Sequence, residues 1–248
     1  MASPKILRER SVLICFTTRI GGVSRRPYES LNLAYHVGDE QADVTENRRR
    51  VLTTLGLDAG RLTTVKQIHG NAILEIDEKQ AGAGCTGIAQ KEADALATSL
   101  NNTPIAVCTA DCVPLILADV QTRKIIVVHA GWKGIYSLIV PRALKALKEA
   151  AHGKLSDVYA FIGPAIGQCC YEVDATRAGL FDERYVKREA GKTRLNLPAI
   201  VEGQLREAGL DEDSITDSGL CTCCRNDLLF SFRRDGICGR QMAVAALT

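Results

Sequence analysis

At 248 residues the chain is long enough to bury a full core, and 46% hydrophobic with 24% charged residues is an ordinary globular composition. A net charge of +2 gives no reason to expect nucleic acid or a membrane surface as partner, and no apolar run approaches the roughly 20 residues that span a bilayer. The start, Met1-Ala2-Ser3-Pro4-Lys5-Ile6-Leu7-Arg8-Glu9-Arg10, is broken by charge too early for a secretory signal, so the expected location is the cytoplasm.

Taken in chain order, residues 12–17 predict a strand and residues 43–55 a helix, stopped by Gly56 and carrying Arg48, Arg49 and Arg50 in its middle. Residues 72–76, 105–109, 113–118 and 124–129 follow as short apolar runs, several rich in Val and Ile, as buried strands are. An amphipathic helix is expected over 137–150, a strand over 158–162, a helix over 198–208 closed by Gly209, and a last strand over 240–246. No repeat, low-complexity tract or linker interrupts the alternation. The economical reading is one mixed α/β domain over residues 1–248.

Ten cysteines exceed the usual share, yet they do not read as a disulfide framework. A chain of this length needs no staples, and a reducing cytosol would not keep them. Cys15 and Cys108 sit inside apolar runs, as small buried hydrophobes do. Cys169-Cys170 and Cys221-Thr222-Cys223-Cys224 are clustered, and the second contains one Cys-x-x-Cys. No second such pair and no histidine pair stands at zinc-finger spacing, so both clusters read as reduced cysteines around a turn.

Three other motifs carry more chemistry: Lys66-Gln67-Ile68-His69-Gly70, Cys108-Thr109-Ala110-Asp111-Cys112 and Val127-Val128-His129-Ala130-Gly131-Trp132. His69, Cys112 and His129 can supply two imidazoles and a thiolate to one zinc, leaving a fourth position open, which is the catalytic rather than the structural arrangement. His69 and His129 each follow an apolar run and precede a glycine, and Cys112 sits in a turn between two apolar runs. Strand ends at one edge of a sheet are where α/β enzymes place their sites. The same neighbours would also suit a Cys112 nucleophile activated by a histidine, and spacing alone does not separate the two schemes.

Other schemes lack their residues. No Gly-x-Ser-x-Gly elbow occurs, and the His-x-Glu with Pro-Cys-x-x-Cys of zinc deaminases is missing. Gly82-Ala83-Gly84-Cys85-Thr86-Gly87 matches the dinucleotide fingerprint in letters, but Asp77-Glu78-Lys79-Gln80-Ala81 stands where its strand should end, so a loop is expected. Gly191-Lys192-Thr193 lacks the earlier glycine of a phosphate loop, which would fall at Val186.

Several ordered segments then resemble a known family. They include Phe16-Thr17-Thr18-Arg19-Ile20-Gly21-Gly22-Val23-Ser24, Ser30-Leu31-Asn32-Leu33, His36-Val37-Gly38-Asp39, Glu46-Asn47-Arg48 and Gln67-Ile68-His69-Gly70. Ala93-Asp94-Ala95-Leu96, Thr109-Ala110-Asp111-Cys112-Val113-Pro114, His129-Ala130-Gly131-Trp132, Ile162-Gly163-Pro164-Ala165-Ile166-Gly167, Cys170-Tyr171-Glu172-Val173 and Phe230-Ser231-Phe232-Arg233-Arg234-Asp235 continue it. Together they resemble the laccase-domain family, long labelled multicopper polyphenol oxidase. Its members are described as purine nucleoside phosphorylases that also deaminate adenosine, and some as peptidoglycan editing factors.

The resemblance implies a single layered α+β domain with a mixed β-sheet flanked by helices, and zinc held by His69, Cys112 and His129. It implies phosphorolysis of adenosine, inosine and guanosine, cleavage of methylthioadenosine, and adenosine deamination. Purine nucleosides and phosphate would be the partners, with no nucleic acid and no membrane. Asn32 and Arg48 match characteristic positions and are candidate substrate-binding residues, Arg48 as the anion ligand. Leu228-Leu229-Phe230 and Phe232 depart from an aromatic-rich Phe-Phe-Ser-Tyr. Two further readings compete: a cysteine or zinc amidase acting on a peptidoglycan precursor through Cys112, and a copper-dependent phenol oxidase. Four histidines in the whole chain, His152 among them, are too few for the ligand set of a multicopper laccase.

Overall fold

A computed structural model describes residues 12–150 and 154–248, together with the backbone of Ile6 and Leu7. His152 lies outside the described residues. The chain runs β1 (Ile6–Leu7), β2 (Val12–Phe16), α1 (Gln41–Leu55), β3 (Ile73–Glu75), β4 (Ala95–Thr98), β5 (Ile105–Thr109), β6 (Val113–Asp119) and β7 (Lys124–Ala130). It continues through α2 (Trp132–Tyr136), α3 (Ile139–Ala150), β8 (Val158–Ile162), α4 (Ala175–Ala178), β9 (Val186–Glu189) and β10 (Lys192–Leu195). It closes with α5 (Leu197–Glu207), β11 (Ile215–Asp217), α6 (Phe232–Asp235) and β12 (Gln241–Leu247).

Period-two alternation sends successive strand side chains to opposite faces, and here both faces are apolar. Val113, Leu115 and Leu117 of β6 pack with Ile126 and Val128 of β7 against Ile139, Val140 and Leu144 of α3 and Ile200 and Val201 of α5. The intervening Ile116, Ile125 and Val127 face the other way, onto Ile14, Val107, Ala243 and Ala245. Beyond those, Leu13, Ala106, Met242 and Val244 meet Val51 and Leu52 of α1. The layers therefore run helix, sheet, sheet, helices. A strand buried on both faces reads as an unbroken apolar run, which is why the central strands stand out in the sequence.

Among the described residues the inner sheets have the orders β1-β2-β12-β5 and β11-β8-β6-β7-β4-β3. The first is antiparallel throughout. The second is mixed, with β11 parallel to β8 and β3 parallel to β4 while its centre is antiparallel. The mixed sheet flanked by helices is thus present, and a second sheet covers its other face. β5 belongs to one sheet and β6 to the other, so the chain crosses between sheets at 110–112. No described helix is long and apolar enough to cross a membrane.

Deviations from the expected elements have local causes. The helix expected over 137–150 begins only at Ile139, because Leu138 takes a positive φ of 62° and separates α2 from α3. α1 ends where expected: Gly56, at φ 71°, donates back to Leu52 and Thr53 carbonyls, a left-handed cap suited to glycine. Residues 82–87 are turns without a preceding strand or following helix, so the dinucleotide context is absent. That loop is anchored: the Gly82 amide donates to Thr63 Oγ1 at 2.9 Å, and the Gly84 carbonyl accepts from Arg48 Nη1 at 2.6 Å. Gly191 and Lys192 fall in the tight β9–β10 hairpin, where Ala190 and Gly191 both have positive φ.

Candidate metal centre

His129 is the penultimate residue of β7 and shares the inter-sheet face with Ile125 and Val127, which buries it to 3% exposure. Cys112 is the last residue of the crossover before β6. His69 does not end a strand; it lies in the turn between the Lys66–Glu92 bridge and β3, at φ 62°. From these three places the ligand atoms converge to within 4.8 Å of one another. The two imidazoles meet edge to face, with ring centroids 4.8 Å apart.

Asp94 explains how this geometry is held. Its side chain is fully buried, and Oδ1 lies 2.8 Å from His129 Nδ1 while accepting from the His69 amide at 2.9 Å. Oδ2 accepts from the Gly70 amide at 2.6 Å and the Ile68 amide at 3.3 Å. One carboxylate thus orients one ring, leaving its Nε2 for a ligand role, and fixes the backbone that carries the other. Burial would raise the Asp94 pKa, but hydrogen bonds from His129, Gly70 and His69 hold it below the ordinary value.

Burial likewise pushes the Cys112 thiol up, yet the charge and hydrogen bonding of His129, with His69, bring it down to about 6. Burial lowers the His129 pKa, while the Cys112 charge and the hydrogen bond to Asp94 raise it to about 9. The two shifts favour thiolate and imidazolium for this pair near neutral pH. Capture of a divalent cation displaces the imidazolium proton, so affinity should weaken as the pH falls.

Gly131 forms the floor beneath the triad. A Cβ built there would stand 3.0 Å from His69 Cδ2 and 3.2 Å from Cys112 Sγ, although its φ of −75° suits any residue. Gly131→Ala should leave the fold intact and displace the ligands by a few tenths of an ångström. We expect metal affinity to fall by about 10-fold, read by competition with a chromogenic chelator.

The triad opens into a cleft of about 430 Å³ whose wall includes His36, Ile166, Tyr171, Phe232, Arg233 and Arg240. That volume is in the range of small-molecule sites. The Arg233 amide donates to Asp111 Oδ2 at 2.6 Å, and its guanidinium lies 5.1 Å from the Tyr171 ring centroid. Arg240 donates to the Cys238 and Gly239 carbonyls. Burial, then the charges of Arg240 and Arg48, lower the His36 pKa, so its ring is neutral near pH 7. Phe232 is 58% exposed at the rim.

Arg48 and Asn32 are not among the lining residues. Arg48 is neither solvated nor in the cleft: Nε donates to the Leu33 carbonyl at 2.8 Å, Nη1 to that of Gly84, and the guanidinium covers the Tyr35 ring at 4.4 Å. Asn32 is fully buried, donating to the Ala34 carbonyl and Asp39 and accepting from the Arg240 amide at 2.9 Å. Both support the loops behind the cleft. Arg49 and Arg50 pair with Glu46 on the exposed helix face. The sequence reading passed over Asp94, Arg233 and Arg240 as individual groups. Asp94 did carry a signal, as a lone carboxylate between alanines at the start of an apolar run.

Residues 13–248 match the family described as multi-copper polyphenol oxidoreductase laccase. Purine nucleoside phosphorylase YlmD of Bacillus subtilis is 36% identical over 244 residues, spanning 94% of this chain and 88% of that protein. A purine nucleoside phosphorylase of Corynebacterium glutamicum is also 36% identical over 244 residues, spanning 97% and 96%. The crystal structure of the hypothetical protein YfiH of Bacillus licheniformis superposes with a TM-score of 0.92 at 33% identity, covering 96% of this chain and 93% of that one.

Proposed function

The chain belongs to the multi-copper polyphenol oxidoreductase laccase family, and on that premise we propose that it is a zinc-dependent purine nucleoside phosphorylase. The proposed substrates are adenosine, inosine, guanosine and methylthioadenosine, with adenosine deamination as a side activity. One observation carries the reading: His69, Cys112 and His129 converge on the floor of a cleft walled by two arginines and two aromatic rings. A cation site, an anion site and a stacking surface are the three things that phosphate plus a purine nucleoside require. The names of the relatives point the same way.

The donor set suits zinc, which takes nitrogen and thiolate ligands and keeps an open position when three protein groups bind it. Two histidines and one cysteine can also hold copper, as the family description suggests, and metal analysis of the purified protein separates the two. Zinc held there would supply Lewis acidity toward an oxyanion in the cleft.

The chain's own residues do the rest. Arg233 and Arg240 present guanidinium N–H groups to a phosphate dianion, and such charge-assisted contacts fix its approach. A phosphate oxygen forms a bond to the anomeric carbon as the bond from that carbon to the purine nitrogen breaks, and the bonding pair leaves with the base. Phe232 and Tyr171 offer ring faces on which a purine can stack. His36, held neutral, offers one donor and one acceptor to the base edge. Asp111, fixed by Thr222 and the Arg233 amide, keeps the crossover and the cleft wall in register.

The test is product analysis by mass spectrometry in phosphate-free and phosphate-containing buffer. Inosine or methylthioadenosine should yield free base and sugar 1-phosphate only when phosphate is present. Adenosine converted to inosine without phosphate reads the deaminase activity. Free ribose in equal amounts in both buffers would make the protein a hydrolase instead. Release of an amino acid from a muramyl nucleotide, with no nucleoside turnover, would replace the proposal by an amidase.

A further inference from the structure

A second group of metal-loving side chains stands apart from the triad. Read along the sequence, Cys169-Cys170 and Cys221-Thr222-Cys223-Cys224 are separate clusters, each incomplete as a metal site. The fold joins them. β8 and β11 are parallel neighbours, so the turns that follow them leave the same edge of the sheet. Ala165 bridges to Cys221, and the Thr222 amide donates to the Ala165 carbonyl at 2.9 Å. The sulfurs of Cys169, Cys170, Cys221 and Cys224 then lie within 4.8 Å of one another.

We propose that Cys169, Cys170, Cys221 and Cys224 form a second zinc site, a tetrathiolate clamp that joins the turn after β8 to the turn after β11. It goes beyond the proposed reaction and does not depend on it. Four sulfurs are a complete structural zinc set, with no open position. Cys224 Sγ is 3.6 Å from Cys169 Sγ and 3.4 Å from Cys170 Sγ, far beyond a disulfide bond. A tetrahedral zinc with bonds of about 2.3 Å spaces its sulfurs by about 3.8 Å, close to what is found. Near-equal approach of Cys224 to two sulfurs selects neither as a disulfide partner, whereas a shared cation accounts for both.

The surroundings of Cys221 are those of a thiolate ligand. The Gly167 amide donates to Cys221 Sγ at 3.2 Å, a hydrogen bond that stabilises a metal-bound thiolate. Gly167 has no side chain where a Cβ would meet Cys169 Sγ at 3.2 Å and Cys221 Sγ at 3.5 Å, so the glycine leaves room for the sulfurs to converge. Arg234 donates to the carbonyls of Thr222 and Cys223, which sets a positive charge beside the turn that carries two of the thiols. On binding, the thiols give up their protons and the cation is held by four thiolates. Thr222, between two proposed ligands, donates to Asp111 Oδ1 at 2.6 Å, and Tyr171, next to Cys170, lines the cleft. The clamp therefore braces one wall of the cleft without touching what binds there.

Metal content decides it. Full-length protein purified from zinc-supplemented cells under reducing conditions should carry about two zinc ions per chain, falling to about one in Cys224→Ser and to about one in Cys112→Ala. X-ray absorption on zinc-loaded Cys112→Ala should then show a sulfur-only shell near 2.3 Å. Should Cys224→Ser fail to fold, wild-type protein still answers. Stripping its metal should expose four thiols beyond Cys112 to a thiol reagent, and adding zinc should protect them again. One zinc per chain, lost entirely in Cys112→Ala, would overturn the proposal. So would exposure of Cys112 alone on stripping, or a freshly purified mass about two daltons below the all-thiol value, which would mean a disulfide.

Discussion

Replacing Cys112 with alanine should lower the proposed phosphorolytic turnover by about 1000-fold or more while leaving a folded protein. The side chain is the only thiolate of the triad, brought down to about 6 by the two imidazoles it faces. Without it two nitrogen ligands remain, one of them on a turn rather than a strand, and a divalent cation loses its softest anchor. Metal stabilisation of transition-state charge is worth several kcal/mol, and about 4 kcal/mol corresponds to that rate factor. The fold should survive, because three apolar clusters on both faces of both sheets hold it without help from the centre. Metal analysis beside near-ultraviolet circular dichroism and an inosine assay gives the outcome. A folded variant that keeps both metal and rate would remove Cys112 from the site.

Asp94→Asn should act in the same direction by a smaller factor, although Asp94 itself lies behind the triad. The four donors around it, His129 Nδ1 and the amides of Ile68, His69 and Gly70, all need acceptors. An asparagine supplies one carbonyl and one NH2, so one pair of donors must face another donor. Leaving buried donors unpaired costs about 1–3 kcal/mol. Loss of such an orienting partner typically lowers metal affinity or activity about 10- to 100-fold. The acid limb of stability should change as well. The carboxyl is held lower in the folded than in the unfolded chain, so its contribution is present above the ordinary value of 3.8 and is lost as the pH falls through the depressed folded value. Asp94→Asn should therefore show a flatter stability profile below pH 3.8 in acid-unfolding curves. A variant with unchanged zinc affinity would mean that Asp94 only packs.

The strands legible in the sequence are those with apolar residues on both faces. β5, β6, β7 and β8 were anticipated to within a residue or so, because a buried run of Val and Ile leaves few alternatives. β4 was missed: Ala95–Thr98 is short and half alanine, so it gives no periodic signal although it is wholly buried. β9 and β10 were missed for the opposite reason, being mostly polar, with β9 mostly exposed and β10 only partly buried. That a second sheet packs on the first is a long-range fact which local periodicity cannot carry. At the site, the three ligand-type residues stood out because their side chains are chemically distinctive. Arg48 stands out because it matches a characteristic position of the family, but a guanidinium can also serve as an internal brace, and only its partners reveal which. The two cysteine clusters read separately as reduced thiols around turns, because their closeness depends on the parallel pairing of β8 with β11.

The crossover at 110–112 has a mechanical consequence. Cys112 is carried on the link between the two sheets, while His129 is rooted in only one of them. Any slip of one sheet across the other would stretch or compress the sulfur-to-nitrogen spacing directly. The spacing of the three side chains is thus a readout of interlayer registry, and the layer between the sheets acts as a spacer that sets it. Trimming a spacer side chain between the sheets, such as Val107 or Ile116, would shift the triad by changing the gap rather than the three residues themselves. Retuning this triad need not begin at its own residues; it can begin in the hydrocarbon between the layers.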